Sequence, residues 1–172
     1  MKALLHIKES LRKEGNPLRV PQMEAYMRNQ FPFYGVMSTP RKEILKTLKK
    51  DQLDVLDTTE KRTLIQLLWE EEHRECQLVA LEWLMTWKPN EFIASDIELF
   101  EWLITSKSWW DTVDGIAPNV FVVRHFIGDG TPIVSGRRFR RRRFSVEKPP
   151  RELSFQHGRS HLWRRRRLRR SY

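Results

Sequence analysis

The stretch from Glu75 to Trp87 constrains the fold more than any other. Its apolar residues Cys76, Val79, Ala80, Trp83, Leu84 and Trp87 recur at i, i+3, i+4, i+7, i+8 and i+11. That spacing lays one stripe along one side of an α-helix and cannot be built as a strand of period two. Less regular versions of it run through the first 120 residues. Leu4, Leu5, Ile7 and Leu11 form a first stripe, ended near Gly15-Asn16-Pro17. Pro21 opens a second helix with Met23, Tyr26 and Met27 on one side, and Phe31-Pro32-Phe33-Tyr34-Gly35 breaks it. Thr39 and Pro40 pair a cap with a first-turn proline ahead of Ile44, Leu45 and Leu48. Asp57 with Glu60 three residues later is a capping-box signal before Leu64, Leu67 and Leu68. Pro89-Asn90 ends the clearest helix and starts the next, carrying Phe92, Ile93, Ile97, Phe100 and Ile104. Strand and hairpin signals are scarce. The pattern predicts an all-α chain of short helices joined by brief turns. Stacked helical pairs and a bundle both satisfy it, and periodicity does not choose between them.

Charge divides the chain in two. Residues 1–120 carry 16 Lys and Arg against 19 Asp and Glu, a net −3, whereas residues 121–172 carry 16 against 3, a net +13. The kind of base changes as well, from 10 Lys and 6 Arg to 1 Lys and 15 Arg. The overall +10 therefore says nothing about the helical part. Past Asn119 the helical pattern fails: Gly128, Gly130, Pro132 and Gly136 precede the Arg137–Arg143 run, and Pro149-Pro150 separates it from Arg164–Arg167. The expected division is a helical domain over 1–120 and an irregular, Arg-rich tail over 121–172 with no packed core. Three origins compete for that tail: an arginine arm for nucleic acid, a solvated disordered extension, or translation in a shifted reading frame.

Other chemistry is limited. Cys76 is the single cysteine and lies in the apolar stripe, so no disulfide framework or zinc cluster is expected. The five histidines are scattered with no paired spacing on a helix, and no metal site is expected. The apolar run at Met1–Lys8 is too short and interrupted for a signal peptide or membrane span, which points to a cytoplasmic protein.

The segment that carries chemistry is Thr105-Ser106-Lys107-Ser108-Trp109-Trp110-Asp111-Thr112-Val113-Asp114. On a helix, Trp110 and Asp114 are i and i+4 and share a face. A flat aromatic beside a carboxylate suits a site that holds a cation or a forming cation. A core tryptophan followed by a helix-start aspartate explains the same residues. Asp111 is read as a helix cap or a solvent-facing carboxylate, with a second active carboxylate as the alternative, Trp109 as packing, and Trp69, Trp83 and Trp87 as core. Lys107 is read as a solvated lysine with phosphate contact as the alternative. Arg28, Arg41, Lys42 and Lys46 are candidate phosphate contacts, and Glu70-Glu71-Glu72 a solvated turn.

Several segments together resemble the AlkD-like, HEAT-repeat family of DNA alkylation repair glycosylases. They are Met23–Phe33, Thr39-Pro40-Arg41, Leu68-Trp69-Glu70 with Arg74-Glu75-Cys76-Gln77 and Ala80-Leu81, and above all Thr105–Asp114, in matching order over about residues 1–120. The resemblance implies an all-α superhelix of HEAT-like helical pairs, an α-solenoid with a concave DNA-binding face, here truncated and followed by the irregular tail. It implies hydrolysis of the N-glycosidic bond of N3- and N7-alkyl purines in double-stranded DNA by a monomer, away from membranes and without a cofactor. The family's motif residues fall on Trp110 and Asp114, and its early active-site tyrosine on Tyr26. Asp114 then takes the catalytic role, with Trp110 and Tyr26 binding substrate. Family members continue with further helical pairs that supply an arginine in a Trp-Leu-x-Arg segment and a later tryptophan. Neither is found here, and Leu162-Trp163-Arg164 is only an echo inside an arginine block.

The implied chemistry is economical. An N3- or N7-alkyl purine is already cationic and leaves neutral, so it needs no general acid. Positive charge develops on the deoxyribose instead, where a fixed carboxylate stabilises it and positions water. Two alternatives stand beside this enzyme: a truncated, non-catalytic helical-repeat module that binds DNA or protein, and a polyanion binder that works through its arginine tail. The coding DNA over codons 115–172, read in all three forward frames, separates the origins of the tail. A shifted frame predicts that another frame restores amphipathic helices with the missing Arg and Trp; their absence from every frame assigns the arginine tail to the protein.

Overall fold

The structure is a computed structural model that describes residues 1–116. The expected arginine tail, 121–172, lies outside the described residues. Every regular element among those described is helical: α1 (Lys2–Glu14), α2 (Val20–Tyr26), α3 (Ser38–Leu48), α4 (Thr58–Glu70), α5 (Arg74–Leu84) and α6 (Asp96–Ser106). A final helical segment, α7, occupies 110–116. A π-helical turn at Lys49–Leu53 extends α3, and a single 3-10 turn at Pro89–Glu91 precedes α6.

Local signals set the starts of α4 and α2. Asp57 Oδ1 accepts from the backbone N–H of Thr59 and Glu60, both at 2.8 Å, while Glu60 Oε2 accepts from the Asp57 N–H at 3.0 Å. This is the reciprocal box that the spacing predicted, and it satisfies donors the first turn of α4 would otherwise leave open. Pro21 sits in the first turn of α2 as expected. Thr39 does not cap α3: the helix begins at Ser38, its N-cap is Met37, and no side chain caps it. Leu5 is also corrected. It is 57% exposed, because the buried face of α1 runs through Ala3, Ile7 and Leu11 at strict i+4 spacing and Leu5 points away from it.

Two helical pairs build the core. α1 packs on α3 and α4 packs on α5, and the pairs join through α1 against α4 and α3 against α5. Only three residues link α4 to α5, which forces the chain straight back into an αα-hairpin. The apolar stripe read from sequence is the buried face of α5, with Cys76, Val79, Ala80, Trp83 and Leu84 all buried. Trp87, just beyond α5, continues it: Trp83, Trp87, Phe92 and Phe100 form a string of rings 5.6 to 5.9 Å apart that carries the core to α6. Trp69, Trp83 and Trp87 are core residues as expected.

The start of α6 differs from the expectation. Phe92 and Ile93 precede the helix, which opens at Asp96. The Asp96 carboxylate accepts from the Ile93 N–H at 2.8 Å and takes both arms of Arg62 at 2.6 and 2.7 Å. The Arg62 guanidinium also lies 5.2 Å from the Trp87 ring. An ion pair from α4 therefore fixes where α6 begins. Among the described residues no helix is long and apolar enough to cross a membrane.

The capping box gives a direct test. Asp57→Ala removes the carboxylate that holds two N–H groups and should cost about 1 kcal/mol of stability, read as a lower urea midpoint with an unchanged slope.

Candidate functional site

The site is assembled around the first turn of α5. Arg74 and Glu75 are both 0% exposed, a cation and an anion side by side in the interior. Unpaired, such charges are not tolerated there, and each is fully engaged. Glu75 Oε1 accepts from the N–H groups of Gly35 and Val36 at 2.9 and 3.0 Å, and Oε2 from that of Tyr34 at 3.0 Å. Three backbone donors and the positive end of α5 stabilise the carboxylate. The segment from Phe31 to Val36, an irregular stretch in sequence, is thereby held against α5. Gly35 makes this approach feasible: its φ is +87°, and a Cβ there would sit 2.2 Å from the Asn16 carbonyl oxygen. The Tyr34 ring stacks on His73 with centroids 3.8 Å apart.

Arg74 faces the other way. Its Nη2 donates to Asp111 Oδ1 at 2.5 Å and to Thr112 Oγ1 at 3.0 Å, its Nε to Asp111 Oδ2 at 3.2 Å, and its Nη1 to the Lys107 carbonyl at 3.3 Å. Its guanidinium carbon lies 3.9 Å from the Phe31 ring centre, and its own N–H donates to the Pro32 carbonyl at 2.9 Å. Asp111 is thus neither a helix cap nor a solvent-facing carboxylate; it is the counter-ion of a buried arginine. Lys107 is corrected likewise. Its Nζ donates to the Glu70 carbonyl at 3.1 Å and to the Glu71 carbonyl, at the C-terminus of α4. Gln77 Nε2 donates to the Leu68, Trp69 and Glu71 carbonyls of the same helix end. Burial and the Arg74 charge together lower the Lys107 pKa.

With α7 so held, the residues singled out in sequence come together. The Tyr26 and Trp110 rings meet edge to face, centroids 5.6 Å apart at 80°. Trp109 makes the parallel contact on Phe31 at 6.3 Å and is half-buried. The backbone of α7 is helical through Asp114, so Asp114 stands one turn beyond Trp110, and it is exposed. The loop after Tyr26 turns through two left-handed residues, Arg28 at φ 54° and Asn29 at φ 56°. That turn ends α2 and sends the chain to Phe31.

The other candidates fall elsewhere. Arg41 is buried and grips Glu82 through two bonds at 2.8 and 3.1 Å, which takes it out of reach of a phosphate. Lys42 and Lys46 are exposed. Glu71 pairs with Lys8 at 2.7 Å, so the acidic turn is not wholly solvated. Burial pushes the Cys76 thiol up to about 12. Among the described residues no group of His, Cys, Asp and Glu gathers that could hold a metal ion. Sequence reasoning missed the roles of Arg74 and Glu75. The signal was there: a charged pair opens the most deeply buried of the described helices.

The sequence pattern of the DNA alkylation repair enzyme family matches residues 7–128. The chain belongs to that family. The solved structure of a predicted DNA alkylation repair enzyme from Enterococcus faecalis is similar to it, with a TM-score of 0.55 and 27% identity. The match covers 61% of this chain and 48% of that one, so it spans about half the length of the solved protein. A search of curated proteins found no match.

Tyr26 carries a pH prediction for this alkylation repair family chain. Burial, then the Asp111 charge, raises its phenol above the usual value of 10.0. Below about pH 10 folded and unfolded chains both keep the proton, and this contribution to stability is complete. Above it the unfolded chain ionises first, so stability falls with rising pH until the folded phenol ionises too. Tyr26→Phe should make the decline in urea midpoint above about pH 10 shallower than in the unaltered protein.

Proposed function

We propose that this chain acts in alkylation repair as a DNA glycosylase, hydrolysing the N-glycosidic bond of N3- and N7-alkyl purines in double-stranded DNA. The observation that carries the reading is the Tyr26–Trp110 edge contact with Asp114 exposed one turn further along α7. An aromatic corner with a free-standing carboxylate beside it matches the demands of this leaving group. The lesion base is a cation, and the face of Trp110 attracts it by about 1–2 kcal/mol once water is excluded. Tyr26 walls the corner and keeps the indole from turning. As the glycosidic bond breaks, the base departs neutral and the charge moves to the sugar. A carboxylate at Asp114 stabilises that charge and orients the attacking water. One carboxylate suffices, because a cationic base needs no proton to leave. In this reading the stacked helical pairs begin a HEAT-like superhelix, the protein works as a monomer, and duplex DNA lies along its concave side.

A second reading, a helical module that binds DNA or protein without releasing base, is favoured by the net −3 charge of residues 1–120. One assay separates the two. On methylated duplex DNA, Asp114→Asn should lower the rate of methylpurine release at least about tenfold while duplex binding is retained. Release that is unchanged in the variant removes Asp114 from the chemistry. Binding by the unaltered protein with no release of base establishes the second reading.

A further inference from the structure

We propose that Arg74 is the positioning residue of the site, a single buried cation that sets the separation of its two aromatic walls. The inference rests on the glycosylase reading for its consequence in catalysis, but its geometry stands by itself. The two walls come from segments distant in sequence. Tyr26 belongs to the α2 segment, which runs on through Phe31 and Pro32, and Trp110 belongs to α7. Arg74 holds both. Toward the first wall it lies under the Phe31 ring at 3.9 Å and donates its backbone N–H to the Pro32 carbonyl. Toward the second it donates to both oxygens of Asp111, to the Thr112 hydroxyl and to the Lys107 carbonyl.

Those acceptors flank Trp110 on both sides. Asp111 and Thr112 lie in the first turn of α7, and Lys107 three residues before Trp110, so the indole cannot shift without breaking the fork. The side chain of Arg74 is 0% exposed and that of Asp111 9% exposed, which leaves the pair largely beyond the reach of water. A planar guanidinium with five donors in a fixed arrangement fits this role, and a lysine does not. The Arg74 side chain is 0% exposed and so touches neither solvent nor DNA. Arg74 therefore acts through Trp110 and Asp114 rather than on the DNA, and a small displacement of such a frame is costly in rate.

The test uses the full chain labelled with 5-fluorotryptophan, whose seven tryptophans give seven fluorine resonances. Trp110→Phe identifies the Trp110 line, and Trp69→Phe and Trp83→Phe identify two core lines. Asp111→Asn is then compared with Arg74→Lys by fluorine spectrum and by kinetics of methylpurine release. In Asp111→Asn the Trp110 line should shift or broaden while the Trp69 and Trp83 lines stay in place, and kcat should fall about tenfold with KM within about twofold. Arg74→Lys, which keeps the charge but not the fork, should do the same, and restoring arginine should reverse it. If either variant fails to fold, Thr112→Val deletes a single branch of the fork; it should move the Trp110 line and lower kcat about threefold. A Trp110 line that is unmoved, or that moves only together with the core lines, overturns the proposal. If the unaltered chain releases no base, the glycosylase reading has failed, and the fluorine spectra still decide whether Arg74 positions Trp110.

Discussion

The structure depends on a pair of opposite charges placed side by side in the interior and turned in opposite directions. Glu75 draws in the N–H groups of Tyr34, Gly35 and Val36; Arg74 draws in Asp111 and Thr112. Each charge alone would be costly to bury, and losing one partner of such a pair destabilises by about 3–5 kcal/mol. That cost makes the arrangement specific. A loop and a helix that have no strong reason to meet are both obliged to meet α5, because only there are its charges satisfied. The aromatic corner at Tyr26 and Trp110 follows from this, since those rings ride on the two segments that the charges recruit.

What was legible in the sequence was local. The Asp57–Glu60 box spans three residues and its donors lie on the same turn, so the spacing alone identifies it. The stripe from Cys76 to Trp87 was legible because a buried helix face repeats within one element. Spacing offered Trp110 and Asp114 as one of two readings and Tyr26 was reachable only through a resemblance, for periodicity places residues on faces but does not bring faces together. The misses share a cause. Asp111 reads as a cap or an exposed carboxylate until its partner, 37 residues away, is known. Lys107 reads as solvated until the end of α4 arrives beneath it. Phe92 and Ile93 read as helical until Arg62 claims Asp96. In each case a long-range polar contact overrode a local preference.

The division of labour between charges is equally telling. Among the described residues, the arginines that grip a carboxylate through two bonds, in Arg74–Asp111, Arg62–Asp96 and Arg41–Glu82, lie inside or at the edge of the helical pairs. Those arginines are held by carboxylates and are not the cations that meet a phosphate backbone. By contrast, Asp114 on α7 stands exposed. The helical region thus uses cations to build the frame and leaves an anion in the open, which the proposed glycosylase would turn toward a cationic lesion and sugar.

The buried thiol of Cys76 has a consequence of a different kind. A thiolate, not a thiol, is what soft electrophiles attack, and burial pushes this thiol up to about 12. At neutral pH the group stays a thiol, and it is 0% exposed. Cys76 is also the sole cysteine of the chain. The core that holds the helices together also closes this sulfur off, so a soft electrophile reaches it only when that core opens.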